Sequence, residues 1–329
     1  MQRVRPIRME DSEALLRLAH EARYGITNLP KNSQRLKLIH ERALQTFAGG
    51  SALPYFLFIL EEIENNEVLG LAGIYPKSGI EFPLTYLKET KLTLKPLFPE
   101  MFLQTTLLEP VKYSEGPTEI CSLFLTKTVR QGGLGRLLSF SRFLFMKLFP
   151  EKFHSTVFAE MRGWIDDRGD SPFWDALSRR FCPIPYAEFL MRRDNGIDVS
   201  QLIPQYPVYS ELLDPLAKTL IAATHPNTKP ALKILEEQGF KYTGEIDPFD
   251  AGPRVMVNRE DILTIRKAKR LHIESIAPLS SKPILLSNCQ FDFRSCLGPA
   301  ERRGNGITIT SETAHLLEVG IDDEILAVF

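Results

Sequence analysis

Residues 121–146 read CSLFLTKTVRQGGLGRLLSFSRFLFM: an apolar run, a short polar stretch, three glycines within four residues, and then a helical pattern. Few features constrain a fold as tightly, because the chain must turn sharply from a buried strand into a helix. Glycine tolerates left-handed backbone and close approach, which such a turn requires. Beyond it, Leu137, Leu138, Ser141, Leu144, Phe145 and Leu148 fall on one helical face, and Pro150 stops the helix. Arg130, Gln131, Gly132, Gly133, Leu134 and Gly135 offer successive backbone N–H groups at a helix N-terminus, where the dipole favours anions. A pyrophosphate fits that description. Two plainer readings stay open: a tight connection without a ligand, and a turn that only accommodates helix packing. A Walker A loop is excluded because no G-K-[ST] follows, and the spacing also departs from the dinucleotide pattern G-x-G-x-x-G.

The remaining chain reads as an α+β framework around this turn. A strand at Val4–Arg8 leads into a helix that Asp11 or Ser12 caps, with Ala14, Leu15, Leu18, Ala19 and Ala22 at helical spacing. A second helix follows the turn-like TNLPKNS and runs from about Gln34 to Phe47, and YFLFILEE and EVLGLAGIYP form a hairpin. Residues 76–115, rich in Pro and Thr, read as irregular, and EICSLFL reads as a buried strand. Residues 151–215 read as one strand, one helix (SPFWDALSRRF, with Phe173 and Trp174 in the core) and a loop-rich insertion. Ala217–Thr224 is expected to be extended and Lys229–Gln238 helical, with Ala231, Ile234 and Leu235 inward and Gly239 as its stop. From about residue 266, the short strands PILLS, QFDFRSCL, GITIT and EILAVF surround one brief helix, SETAHLLEV. The expected organisation is therefore a domain over 1–265 with an insertion at about 151–215, and a small, mostly β subdomain over 266–329.

A chain of 329 residues, 43% hydrophobic and 25% charged, is long enough for a sizeable core. The net charge of -1 and the absence of a Lys/Arg cluster give no electrostatic footprint for nucleic acid, so no such partner is expected. No apolar run of about 18 residues and no signal-peptide core appear, which points to the cytoplasm and away from a membrane. The four cysteines and six histidines are scattered, and neither set shows metal-ligand spacing, so no metal is expected.

The order R-x-x-G-x-G, here Arg130, Gly133 and Gly135 after a strand, resembles the pyrophosphate loop of the acyl-CoA N-acyltransferase (GNAT) superfamily. Asn227, Ala231 and Gly239-Phe240 are similar to a second mark of that superfamily. Longer segments extend the likeness: TNLP (27–30), EICSLFL, SFSRFLFM, AEMRG, SPFWDALSRRF, PQYPVY, HPNTKPALKILEEQGF and DPFDAGP together resemble the arginine N-succinyltransferases over most of residues 1–270. The segment from Phe181 to Tyr209 departs, being shorter and differently worded. The resemblance implies a GNAT-like fold, with a mixed, splayed sheet flanked by helices. It implies transfer of succinyl from succinyl-CoA, a co-substrate rather than a tightly bound cofactor, to the α-amine of L-arginine in arginine catabolism. It further implies an oligomer of identical or related chains.

By the same resemblance the catalytic proton donor is His225, the succinyl-CoA position is Leu123, and Arg130, Gly133 and Gly135 hold the pyrophosphate. Many GNAT members use a tyrosine where this chain has Leu235, which leaves the acid to His225. An imidazole both gives and takes a proton near neutrality. Leucine offers no side-chain chemistry, so the role of Leu123 falls to its backbone N–H. For the acceptor, a guanidinium wants a carboxylate and substrate carboxylates want arginine, which singles out Glu160, Arg162, Asp247 and Asp250. A different amine or acyl group, or a non-catalytic partner subunit of such an enzyme, remains as an alternative.

Overall fold

The computed structural model describes residues 1–22, 29–94, 103–130, 132–194, 199 and 202–329. Thr27 and Asn28 of TNLP, Gln131 of the glycine turn, and residues 195–198 and 200–201 of the shortened segment lie outside the described residues. Along the chain the strands are β1 (Gln2–Pro6), β2 (Phe56–Glu62), β3 (Glu67–Tyr75), β4 (Leu84–Leu94), β5 (Leu103–Tyr113), β6 (Thr118–Leu125), β7 (Thr156–Glu160), β8 (Val208–Tyr209), β9 (Lys241–Ile246) and β10 (Pro253–Asn258). Five more follow: β11 (Ala268–Ile276), β12 (Pro283–Asn288), β13 (Ser295–Arg303), β14 (Gly306–Ile309) and β15 (Glu324–Val328). The α-helices are α1 (Ser12–Glu21), α2 (Ser33–Phe47), α3 (Leu134–Leu148), α4 (Pro172–Ala176), α5 (Tyr186–Asp194), α6 (Pro215–Thr219), α7 (Lys229–Glu237), α8 (Leu263–Lys267) and α9 (Ser311–Leu317).

The chain divides into two compact units, the first gathering Met1–Lys77, Pro117–Val157 and Asn258–Phe329. Its strands lie in the order β12-β15-β11-β14-β13-β1-β2-β3-β6. Because β12 also pairs with β13, the last five strands close into a ring around Leu271, Ile273, Leu286, Ile307, Leu317 and Ile325. Closure leaves those strands no open edge to aggregate through. The expected β texture of this region holds, with two differences: β11 was not anticipated, and β13 begins at Ser295 rather than at Gln290.

At the N-terminal end, α2 starts where the Asn32 side chain accepts the Gln34 and Arg35 amides, a cap that contributes about 1 kcal/mol. Asp11 does not cap α1 as expected. Its carboxylate accepts the Arg8 amide at 2.7 Å and both terminal nitrogens of Arg5, on β1, at 2.7 and 2.9 Å. Arg5 also reaches Glu61 at 2.5 Å, so this buried group is saturated, which a buried ion pair needs to offset its desolvation. Leu15, Leu18, Leu36 and Ala43 pack from the helices onto Ile59 and Leu71. Helix α3 is buried on more than the one face its periodicity suggested, since Ser139, Arg142, Phe143 and Met146 are also inside.

The second unit comprises Ser78–Gly116 and Phe158–Val257, with strand order β7-β10-β9-β4-β5-β8. Here the irregular reading of 76–115 fails. Strands β4 and β5 pair in register from Leu84↔Tyr113 to Leu94↔Leu103. Their threonines suit a pleated surface, and the cross-strand partner supplies the order that local wording conceals. Ala217–Thr224 is likewise not extended: Pro215 opens α6, and Thr224 makes only an isolated bridge to Gly163. The insertion holds one helix more than expected, α5, whose Tyr186 and Phe189 stack around Trp174, the latter at 4.3 Å. Phe173 and Trp174 are fully buried, as expected for core. Among the described residues no helix is long and apolar enough to cross a membrane.

Candidate active site

In the first unit, β6 carries a defect at the position the sequence singled out. Leu71 faces Phe124 and Gly73 faces Cys121, so two steps on β3 span three on β6. That is a β-bulge, and Ser122 within it has a left-handed φ of 54°. Leu123, half-buried, follows it and lies off the regular ladder. Downstream, Gly133 is the N-cap of α3 with φ 85°, and its carbonyl accepts the amides of Arg136 at 2.9 Å and Leu137 at 3.1 Å. A Cβ there would meet nothing within 4 Å, so the turn is open on that side. Gly135 lies in the first helical turn, where amides have no intrahelical acceptor. Arg130 is exposed, donating to the Leu125 carbonyl at 3.3 Å with its guanidinium 5.8 Å from the Phe124 ring.

The second unit brings the four predicted acceptor charges into one cluster. Glu160 ends β7, Arg162 and Gly163 follow it, and Asp247–Gly252 form the tight turn between β9 and β10. Asp247 Oδ1 accepts the amides of Phe249 at 2.7 Å and Asp250 at 2.9 Å, and Asp250 Oδ1 accepts that of Gly252 at 2.8 Å. A Cβ on Gly252 would lie 2.0 Å from the Met161 carbonyl, so only glycine lets this turn cross the β7 extension.

Electrostatics tie the cluster together. Burial, reinforced by Asp247, raises the Asp250 carboxyl to about 7, although the Gly252 and Gly163 amides pull it down. Desolvation by the surrounding protein, with Asp247 again second, raises Glu160. Tyr86 donates to Glu160 Oε1 at 2.5 Å, and Arg254 and Arg193 oppose the rise. Burial lowers Arg162, which Asp250 and Tyr186 partly restore, and its Nε is buried without a hydrogen-bond partner. These groups form no metal-binding cluster among the described residues. Two raised acids, with Asp247 beside both, stand near an arginine with an unused donor, and charges of both signs in one cluster have the chemistry to pair with a cation and with a carboxylate.

His225 belongs to the same unit. Its amide donates to the Arg162 carbonyl at 2.9 Å, and its Nδ1 accepts the Asn227 amide at 3.1 Å. With Nδ1 accepting, the neutral ring carries its proton on Nε2. Burial, then Arg162, lowers the imidazole, while a hydrogen bond to the Ile165 backbone acts the other way. The ring is therefore neutral at pH 7 and half-buried. Sequence reasoning missed Tyr86, Tyr186, Arg193 and Arg254. Arg254 pairs with Glu245 at 2.6 Å and lies over the Tyr86 and Phe158 rings at 4.5 and 4.3 Å. No spacing rule couples them to the cluster: the pairing of β9, β10 and β4 brings in Tyr86 and Arg254, and α5 brings in Tyr186 and Arg193.

Comparison with known proteins follows these lines. Residues 2–264 match the family model "Arginine N-succinyltransferase beta subunit", and residues 266–329 match that of its C-terminal domain. Proteins named arginine N-succinyltransferase from Salmonella typhimurium and Salmonella enteritidis are 33% identical over 341 aligned positions, covering 99% of this chain and 96% of theirs. The solved structure of arginine/ornithine succinyltransferase subunit AI from Pseudomonas aeruginosa superposes with a TM-score of 0.91 at 25% identity, covering 100% of this chain and 98% of that one.

Proposed function

The chain belongs to the arginine N-succinyltransferase family, and from that premise we infer how its residues divide the reaction. It is an acyltransferase that moves succinyl from succinyl-CoA to the α-amine of L-arginine, giving N2-succinylarginine and CoA. One observation carries the assignment of the acceptor site: Asp247 raises the proton affinity of both Glu160 and Asp250, and Arg162 beside Asp250 has a buried Nε without a hydrogen-bond partner. An arginine substrate supplies what this cluster lacks, its guanidinium to the acids and its carboxylate to Arg162. The glycine turn, through the amides after Gly133 and the side chain of Arg130, receives the diphosphate of the CoA ester. The backbone N–H of Leu123, beside the bulge, takes the thioester oxygen as it becomes an oxyanion.

The amine attacks the thioester carbon, the C–S bond breaks, and one proton passes from nitrogen to sulfur. His225, neutral at the start with its proton on Nε2, gives that proton to the departing CoA thiolate and takes the amine's proton in its place, which needs no net change in the enzyme. Ornithine is a second acceptor to consider, because the solved Pseudomonas relative is named an arginine/ornithine succinyltransferase subunit. That name and the family's "beta subunit" also support an oligomer of identical or related chains. The cytoplasm, where succinyl-CoA is made, is the compartment we propose.

The test is a product assay by mass spectrometry on the purified chain, offering succinyl-CoA or acetyl-CoA against arginine or ornithine. Succinylarginine as the main product is expected. Acetylarginine in its place, or no acyl transfer to any amine, would overturn the reading.

A further inference from the structure

Arg142 is a fully buried cation that this reaction scheme leaves without a role. It sits on α3, 1% exposed, in the first unit. Its guanidinium donates to the Ser139 carbonyl at 3.2 Å, the Ser139 Oγ at 2.9 Å and the Cys121 carbonyl at 3.3 Å. All three acceptors are neutral. Burial lowers this arginine to about 10, so it remains charged at neutrality. Its nearest titratable neighbours, Cys121 and Tyr55, are both raised by burial and stay protonated, so neither serves as a counter-ion. A glutamine-sized neutral group would make much of this hydrogen bonding without the desolvation a full charge costs.

The location of that charge is specific. Cys121 is the residue before the left-handed Ser122. From the other side, Tyr55, also fully buried, shares a 2.8 Å hydrogen bond between its hydroxyl and Ser122 Oγ. Its ring fills the space over Gly73, where a Cβ would lie 2.4 Å from that hydroxyl. The bulge is therefore gripped at two successive residues, by a cation at one and a phenol at the other. Both grips precede Leu123.

We propose that Arg142 is a positioning residue for acyl transfer: it pins the Cys121 carbonyl, and its uncompensated charge biases the Leu123 amide toward an oxyanion. The proposal rests on the assignment of Leu123 made above. The charge acts through two peptide units, a span of roughly 7–8 Å. At that distance and an effective dielectric of about 20, it is worth about 30-fold in rate.

The experiment compares Arg142→Lys, Arg142→Gln and Arg142→Met in steady-state kinetics, with thermal unfolding alongside. Gln and Met are expected to lose about 30-fold in kcat, Lys less than about fivefold, and all three to keep the KM for succinyl-CoA within about threefold. The melting temperature of the Met variant is expected to hold or rise, because a buried unpaired charge has been removed. A purely structural arginine predicts the opposite, a kcat loss that tracks the loss of folded protein. Wild-type kcat in the Gln variant, or equal losses in Lys and Gln, overturns the role of Arg142 and leaves that of Leu123 standing. A loss confined to the KM for succinyl-CoA overturns both.

Discussion

Glu160→Gln isolates the charge of one member of the acidic cluster while keeping its shape. The amide oxygen of glutamine still accepts the Tyr86 hydroxyl, now donated to Oε1 at 2.5 Å, so the side chain stays where it is. What disappears is a carboxylate raised by its surroundings and by Asp247, and its removal relieves repulsion rather than creating it. Stability is therefore expected to hold. Binding is another matter, because a charge-assisted hydrogen bond to a guanidinium is worth about 1.5–3 kcal/mol. Glu160 is exposed, and water screens it, so the lower part of that range applies. About 1.5–2 kcal/mol corresponds to a rise of roughly 10–30-fold in the KM for arginine. The assay is initial-rate kinetics with each substrate varied at saturation of the other. The KM for succinyl-CoA and kcat are expected to move by less than about threefold, since Glu160 is assigned to ground-state binding of the acceptor. An unchanged KM for arginine, or equal changes for both substrates, refutes the assignment.

Gly133→Ala places a methyl on a left-handed residue, costing about 1–2 kcal/mol of stability, but in open space. If the diphosphate rests there, the KM for succinyl-CoA rises about tenfold or more while that for arginine does not, measured in the same kinetics. His225→Ala is expected to lower kcat by about 10²-fold with CoA affinity, read by calorimetry, nearly unchanged. Asp250, raised to about 7, holds its proton more tightly folded than unfolded. Its contribution to stability is thus present at low pH and lost as pH rises from about 4 towards 7. Over that window the melting temperature of Asp250→Asn falls less steeply than that of the wild type. The carboxylate form binds the cation, so the wild-type KM for arginine falls as pH rises through 7, and the Asn variant flattens that change.

The local elements were legible where one stretch of chain carries its own instructions. The turn before α2, the apolar period of α3, Gly239 after α7 and the glycine turn each act through neighbours in sequence, and the structure keeps them. His225 and Leu123 are singled out by family wording alone, and their surroundings, the Asn227 amide at one and the bulge at the other, come from the structure. The β4–β5 hairpin was missed because its order comes from register between two strands, each of which reads as polar and Thr-rich alone. Asp11 was misread as a cap because its stronger partner, Arg5, is brought in by β1.

What the sequence determined by itself, then, is the set of turns and amphipathic helices, together with the kinship that names the chemistry. What only the tertiary structure decided is which charges face one another. Asp250 is raised to about 7 because it is buried beside Asp247, against the pull of the Gly252 and Gly163 amides, and Arg142 is a bare cation because no acid among the described residues reaches it. Neither fact is written in spacing. A proton's affinity depends on the dielectric and the charges within a few ångströms, and folding alone sets both.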